Sequence, residues 1–183
     1  MARLVLLNGP PGIGKSTLAV RYVADHLLAL NLDLDSIRRL IGGWHEQPIQ
    51  AGLLARAMTL EMARVHLAAG HDVVIPQYLG RPQFLGQAEA VAREVGAPFA
   101  EFVLTDSRDE ALRRFEERTA AAATPAHVEA GELMDRLGGR PALEAMYDRL
   151  LLVLSHRPNA QVIHSIEGDI DATYAELRKR LDG

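Results

Sequence analysis

The stretch Leu7 to Thr17, "LNGPPGIGKST", decides the fold. It follows a short apolar run, 2–8, and opens a helical pattern, so a buried strand gives way to a helix across a glycine-rich turn. Gly9 to Ser16 satisfies the full spacing G-x-x-x-x-G-K-S. Glycines let successive backbone N–H groups close on phosphate oxygens, and the helix that follows presents its positive end to the same anion. The stretch is therefore expected to be bare because a phosphate must fit. Gly9, Pro11, Gly12, Ile13 and Gly14 would surround the phosphates of a nucleotide, and Lys15 would reach its β- and γ-phosphates. Ser16 would offer a hydroxyl to Mg²⁺, and Thr17 would lie beside the α-phosphate. A plain Gly-Pro turn before a helix is the competing reading, and the complete motif with its flanks outweighs it.

Outward from this loop, segments 72–76, 98–105 and 160–166 are short and rich in Val, Ile, Leu or Phe. Longer helical patterns separate them, as expected for strands buried in a parallel sheet, so the class is α/β. In 28–35 the leucines alternate with Ala29, Asn31, Asp33 and Asp35, a period of two that predicts a further strand with both aspartates on one face. Leu54, Met58, Met62, Val65 and Ala69 mark one face of a helix ended by Gly70. Ser107 and Glu110 read as a capping box, Pro125 breaks the alanine-rich run 119–126, and Pro141 suits a first helical turn. Ile170, Tyr174, Leu177 and Leu181 share one face of a last helix.

The length of 183 residues suits one domain with a substantial core, and no second domain is required. No apolar run approaches the roughly 20 residues a membrane span needs. The N-terminal run enters the glycine motif rather than a small-residue cleavage site, so a cytoplasmic, non-membrane protein is expected. With no Cys, any metal must use oxygen or imidazole ligands. A net charge of −4 argues against a surface built for nucleic acid, though not against a local basic pocket. Nothing in the sequence selects an oligomeric state.

On the Gly9–Thr17 motif the chain resembles the small P-loop kinases, in particular the AAA-type ATPase/kinase group that includes chloramphenicol phosphotransferase and the zeta-toxin-like kinases. The resemblance implies a three-layer P-loop NTPase fold with a central five-stranded parallel sheet. It also implies ATP with Mg²⁺ and a mobile helical lid, placed here at about 113–140. Kinases of that group carry an aspartate that faces the acceptor hydroxyl after the P-loop helix. "LNLDLDSIR" resembles that element, with Asp35 the best match.

A carboxylate near the γ-phosphate can orient a hydroxyl and take its proton as the O–P bond forms. Asp35 equally reads as the N-cap of a helix over Ser36–Ile41, and Asp33 as a group that orients Mg²⁺ water or Arg38. Arg38, one turn beyond Asp35, is a candidate acceptor contact, and Trp44 and His45 are candidate pocket walls. At the end of the third strand Pro76 and Gln77 stand where a P-loop protein commonly has an acidic residue. Gln77, Tyr78 and Arg81 follow, where an α/β sheet presents its ligand crevice, and are further acceptor contacts or loop packing.

Arg114 and Arg118 are four apart on one helical face, in the place of the lid arginines of related kinases. Either could offset charge on the transferring phosphate, with Arg118 preferred, while Glu116 and Glu117 offer ordinary surface partners. By resemblance the adenine lies near "HSIEGD", 164–169. The leading expectation is ATP-dependent transfer of the γ-phosphate to a hydroxyl of a small molecule. The alternatives are a nucleoside or nucleotide kinase and a nucleotide-dependent switch with slow hydrolysis; the acidic balance disfavours a polynucleotide kinase.

Overall fold

The computed structural model describes residues 1–182. β1 (Leu4–Asn8) is apolar because both its faces are covered: Leu4 and Leu6 enter the core on one side of the sheet, Val5 and Leu7 on the other. It stands at the centre of five parallel strands. The others are β2 (Leu30–Asn31), β3 (Val73–Pro76), β4 (Phe99–Thr105) and β5 (Gln161–His164), in the order β2-β3-β1-β4-β5. Leu4 faces Val73 of β3 and Phe99 of β4. The chain departs to one side of β1 and later to the other, so a crevice opens beyond the carboxyl ends of the strands at β1.

α1 (Lys15–Asp25) and α8 (Ile170–Asp182) cover one face through Leu18, Tyr22, Tyr174 and Leu177. α2 (Leu34–Arg39), α3 (Pro48–Ala68), α4 (Pro82–Glu94) and the end of α7 (Arg140–Ser155) cover the other through Ile37, Ala55, Leu85 and Val153. The three-layer P-loop architecture with a five-stranded parallel sheet is thus the one the sequence led us to expect. α5 (Arg108–Ala121), α6 (Pro125–Leu137) and the start of α7 enclose a small separate core of Leu112, Phe115, Met134 and Leu143. No helix among the described residues is long and apolar enough to cross a membrane.

Local expectations are corrected or refined at four points. The strand expected over 28–35 is only the two residues of β2, and Leu28 has a φ of 60°. Asp33 N-caps α2, accepting from the amides of Asp35 at 2.9 Å and Ser36 at 3.3 Å, so Asp35 lies in the first helical turn rather than beside Asp33 on a strand or at the cap. In α3 the residues Leu54, Met58, Met62 and Val65, with Ala69 at its C-cap, are exposed, whereas Ala51, Ala55, Thr59, Ala63 and Leu67 are buried. Small side chains spaced by four let α3 lie close to the sheet layer, which leaves its larger apolar residues outside. Finally, the Ser107 hydroxyl accepts from the Glu110 amide at 3.3 Å, but the Glu110 carboxylate pairs with Arg113 instead of closing the box. Asp106 takes the Ser107 amide in its place, at 2.7 Å.

Candidate functional site

The phosphate loop is held from both sides. The Asn8 side chain accepts from the Gly9 amide at 2.8 Å and the Leu79 amide at 2.9 Å, and donates to the Leu79 carbonyl at 3.2 Å. The Ser165 hydroxyl, beyond β5, donates to the Ile13 carbonyl at 2.9 Å. The glycines are bare for different reasons. A Cβ on Gly9 would lie 2.5 Å from the Leu104 carbonyl oxygen, and one on Gly12 would lie 3.0 Å from the Phe115 Cα. Only at Gly14, with φ at 100° and its nearest neighbour Ser165 Oγ at 4.0 Å, is the space open. Neighbouring backbone therefore accounts for the first two glycines, where phosphate alone was expected to.

Lys15 opens α1 and is almost buried, with 9% of its surface exposed. Its Nζ donates to the carbonyls of Gly9 at 2.9 Å and Pro10 at 2.8 Å. Burial pushes its pKa down to about 7; the positive charge of Arg118 acts in the same direction, and the carboxylates of Asp35 and Asp33 oppose it. Residues far apart in the chain thus act on one ammonium group. Ser16 and Thr17 are exposed on the same helical turn. The Ser16 hydroxyl is a hard oxygen donor of the kind Mg²⁺ takes, and the phosphates of a nucleotide would complete such a set.

On the α2 side, Asp35 pairs with Arg38 at 3.1 Å, and the Arg38 guanidinium lies 4.8 Å from the centre of the Trp44 ring, which stacks on His45. Arg39 reaches across to Glu129 of α6 at 3.0 Å, tying α2 to the segment expected to be the lid.

The two candidate lid arginines have different surroundings. Arg114 donates to Asp106 at 2.7 Å and to the Ser165 carbonyl at 2.9 Å. Arg118 makes no ion pair among the described residues; its Nε is buried without a partner, and its guanidinium rests 5.5 Å from the centre of the Phe115 ring. Burial lowers its pKa. Glu116 and Glu117, the surface partners weighed for these arginines, pair with Arg140 and Arg113. Arg118 lines a cavity of about 500 Å³ together with Gly14, Thr17, Ser165 and Gly168, where the turn 164–169 meets the phosphate loop.

Gln77, Tyr78 and Arg81 lie beyond β3 and line a second cavity, of about 470 Å³. Its other cations, Arg56 of α3 and Arg149 of α7, escaped the sequence reading, because nothing local relates them to the loop after β3. Asn8, Asp106 and Ser165 were missed as well. Asn8 carried a usable signal: a polar residue ending an apolar strand directly before Gly9.

A phosphate loop between the central strand and the first helix of a parallel sheet in this order defines the P-loop NTPase class. The chain belongs to the AAA domain family, whose model matches residues 4–141. It is similar to uncharacterised proteins of Mycobacterium tuberculosis and Mycobacterium bovis, 35% identical over 112 residues, which is 55% of this chain and 22% of theirs. The chain thus spans only a minor part of the length of these curated relatives. Among solved structures it is similar to a candidate kinase from Chloroflexus aurantiacus, with a TM-score of 0.69, 18% identity and coverage of 99% of this chain and 96% of that one. A gluconokinase from Sinorhizobium meliloti gives a TM-score of 0.56 and 13% identity over 98% and 95% of the two chains. At these identities it is the fold that is shared.

Proposed function

We propose that the chain is an ATP-dependent phosphotransferase, a P-loop kinase that moves the γ-phosphate to a hydroxyl of a small molecule. The observation that carries this reading is that Arg118, which makes no ion pair among the described residues, lines one cavity with Gly12, Gly14 and Thr17 of the phosphate loop. This supports a reading in which Arg118 acts as the charge-stabilising cation beside a phosphate cradle, with Asp35 as the base.

Lys15 exchanges the Gly9 and Pro10 carbonyls for the β- and γ-phosphate oxygens. Ser16 would hold, through its hydroxyl, the Mg²⁺ that accompanies the nucleotide, and the ion would supply charge neutralisation to the phosphates. Asp35, oriented by Arg38, accepts the proton of the acceptor hydroxyl as its oxygen bonds to the γ-phosphorus. The bond from that phosphorus to the β,γ-bridging oxygen breaks, and ADP leaves with the electron pair. Arg118 offsets the negative charge spread over the transferring group. Closure of 113–140 excludes water, and the adenine ring of the nucleotide lies by the turn 164–169.

A nucleotide-dependent switch would need a group that positions water. The end of β3 offers Pro76 and Gln77 rather than a carboxylate that would help hold Mg²⁺ and its water, and Arg118, without an ion pair among the described residues, suits group transfer. The test is to incubate the protein with Mg·ATP and pooled metabolites and antibiotics and to search for a compound that gains the mass of one phosphate. We expect such a product, lost with Lys15→Ala. Lys15-dependent ADP formation with no phosphorylated compound in any pool would favour the switch.

A further inference from the structure

Most arginines of this chain are matched with carboxylates, in contacts such as Arg39–Glu129, Arg108–Asp148, Arg140–Glu116 and Arg157–Glu101. Among the described residues, Arg56, Arg81 and Arg149 make neither an ion pair nor a side-chain hydrogen bond, and all three line the cavity beyond β3. Among the described residues no acidic side chain lines that cavity, in a chain whose net charge is −4. Three elements distant in sequence supply the cations: α3, the loop before α4, and α7. Unpaired arginines scattered over a surface are ordinary; three facing one concavity with no counter-charge leave an unbalanced field that favours an anion.

The rest of the lining suits a ligand that is also polar. Gln77, Gln83 and Gln87 offer amides that donate and accept, as sugar-like hydroxyls require. Tyr78 fixes one wall: its hydroxyl donates to the Met146 carbonyl at 2.9 Å, and Gly80 is bare where any Cβ would strike the Tyr78 ring tip. Burial raises the Tyr78 pKa while the charges of Arg149 and Arg81 oppose the rise, so both guanidiniums act on the same wall. The loop that carries Tyr78 is fastened to the phosphate loop by the paired hydrogen bonds between Leu79 and Asn8. A ligand held by these arginines is therefore in fixed relation to the phosphate cradle.

We propose that this cavity is the acceptor subsite and that the acceptor is a small polyhydroxylated anion, whose carboxylate or phosphate is gripped by Arg56, Arg81 and Arg149 while a hydroxyl is left for transfer. The proposal rests on the kinase reading above and narrows it to a substrate class. Arginine supplies planar paired donors that fit either anion, so the two sources share one recognition chemistry.

The test separates the two readings. Binding of Mg·ATP and of its non-hydrolysable β,γ-imido analogue is measured first, by calorimetry. With the analogue saturating the phosphate loop, sorbitol, gluconate and sorbitol 6-phosphate are titrated and followed by ligand-observed NMR. We expect one or both anions to bind at least about tenfold more tightly than neutral sorbitol, the stronger of the two identifying carboxylate or phosphate. Arg81→Gln with Arg149→Gln should remove that preference while leaving affinity for the ATP analogue intact; Arg81→Lys, which keeps the charge, should retain part of it. Nucleotide binding with no preference for either anion over sorbitol, or with a preference that survives the double variant, would overturn the anionic subsite and leave the kinase reading standing. Failure of the protein to bind Mg·ATP at all would remove the kinase reading instead.

Discussion

The Arg114 guanidinium donates to the Asp106 carboxylate at 2.7 Å, with only 8% and 11% of the two side chains exposed. The same guanidinium donates to the Ser165 carbonyl, so α5 is fastened to the ends of β4 and β5. One turn further along α5, Arg118 makes no ion pair among the described residues. Two arginines that the sequence places on one face are thereby separated into one committed to the scaffold and one available to a ligand.

Replacing each should accordingly do different things. Arg114→Ala leaves the Asp106 charge enclosed and unpaired, which is expected to cost about 3 kcal/mol and lower Tm by roughly 6–12 °C. Arg118→Ala should hold Tm within a degree or two, since no pair is broken, yet reduce kcat by about 10³-fold with little change in ATP affinity. Thermal unfolding and steady-state kinetics on the two variants decide it; a destabilised Arg118→Ala with normal turnover would reverse the assignment.

The two aspartates of α2 should also part company. Asp33→Ala removes the side-chain cap from the Asp35 and Ser36 amides and should cost about 1 kcal/mol of stability. Asp35→Asn keeps the cap, the fold and ATP binding, and should lower phosphoryl transfer by about 10²–10⁴-fold if its carboxylate is the base. Near-native transfer in Asp35→Asn would confine that residue to its pairing with Arg38.

Lys15 predicts a proton linkage. In the free protein its pKa is pushed down to about 7, chiefly by burial, so at about pH 8 the amine is mostly neutral. Bound phosphates favour the ammonium and raise that pKa. Binding at about pH 8 should therefore take up close to one proton, and affinity should decline as pH rises above about 7 towards the raised bound-state value. Calorimetry in buffers of different ionisation enthalpy measures the uptake. Lys15→Met should abolish it; an uptake unchanged in that variant would locate the proton elsewhere.

The lid should declare itself in hydrogen exchange. Residues 113–140 should gain protection with Mg·ATP and an acceptor analogue together, and less with Mg·ATP alone, because closure brings Arg118 towards the phosphates. The Arg39–Glu129 contact at 3.0 Å gives a second reading: Glu129→Gln should speed exchange of α6 in the free protein. Identical exchange in free and doubly liganded protein would leave the segment a static helical cap.

The phosphate loop was legible because its chemistry is local. Backbone amides can close on an anion only where side chains are absent, and the resulting spacing from Gly9 to Ser16 is written in consecutive residues. The sheet was legible for a related reason: a strand covered on both faces, such as β1, must be apolar at every position. Alternation misled at 28–35, since a cap at Asp33 ended the strand before its pattern ran out. Helical spacing marked one apolar face of α3, but a second apolar stripe exists, and the nearness of the neighbouring layer buries that one, with its alanines.

The sequence by itself determined the P-loop class, the α/β order and the positions of the candidate phosphate-binding groups, because each depends on residues adjacent in the chain. Tertiary structure alone decided that Gly9 is bare for the Leu104 carbonyl, that Asp106 occupies Arg114 and leaves Arg118 unpaired, and that Arg56 and Arg149 join Arg81 around one cavity. Charge pairing and close approach are set by distances in space, and those distances exist only once separate elements have packed.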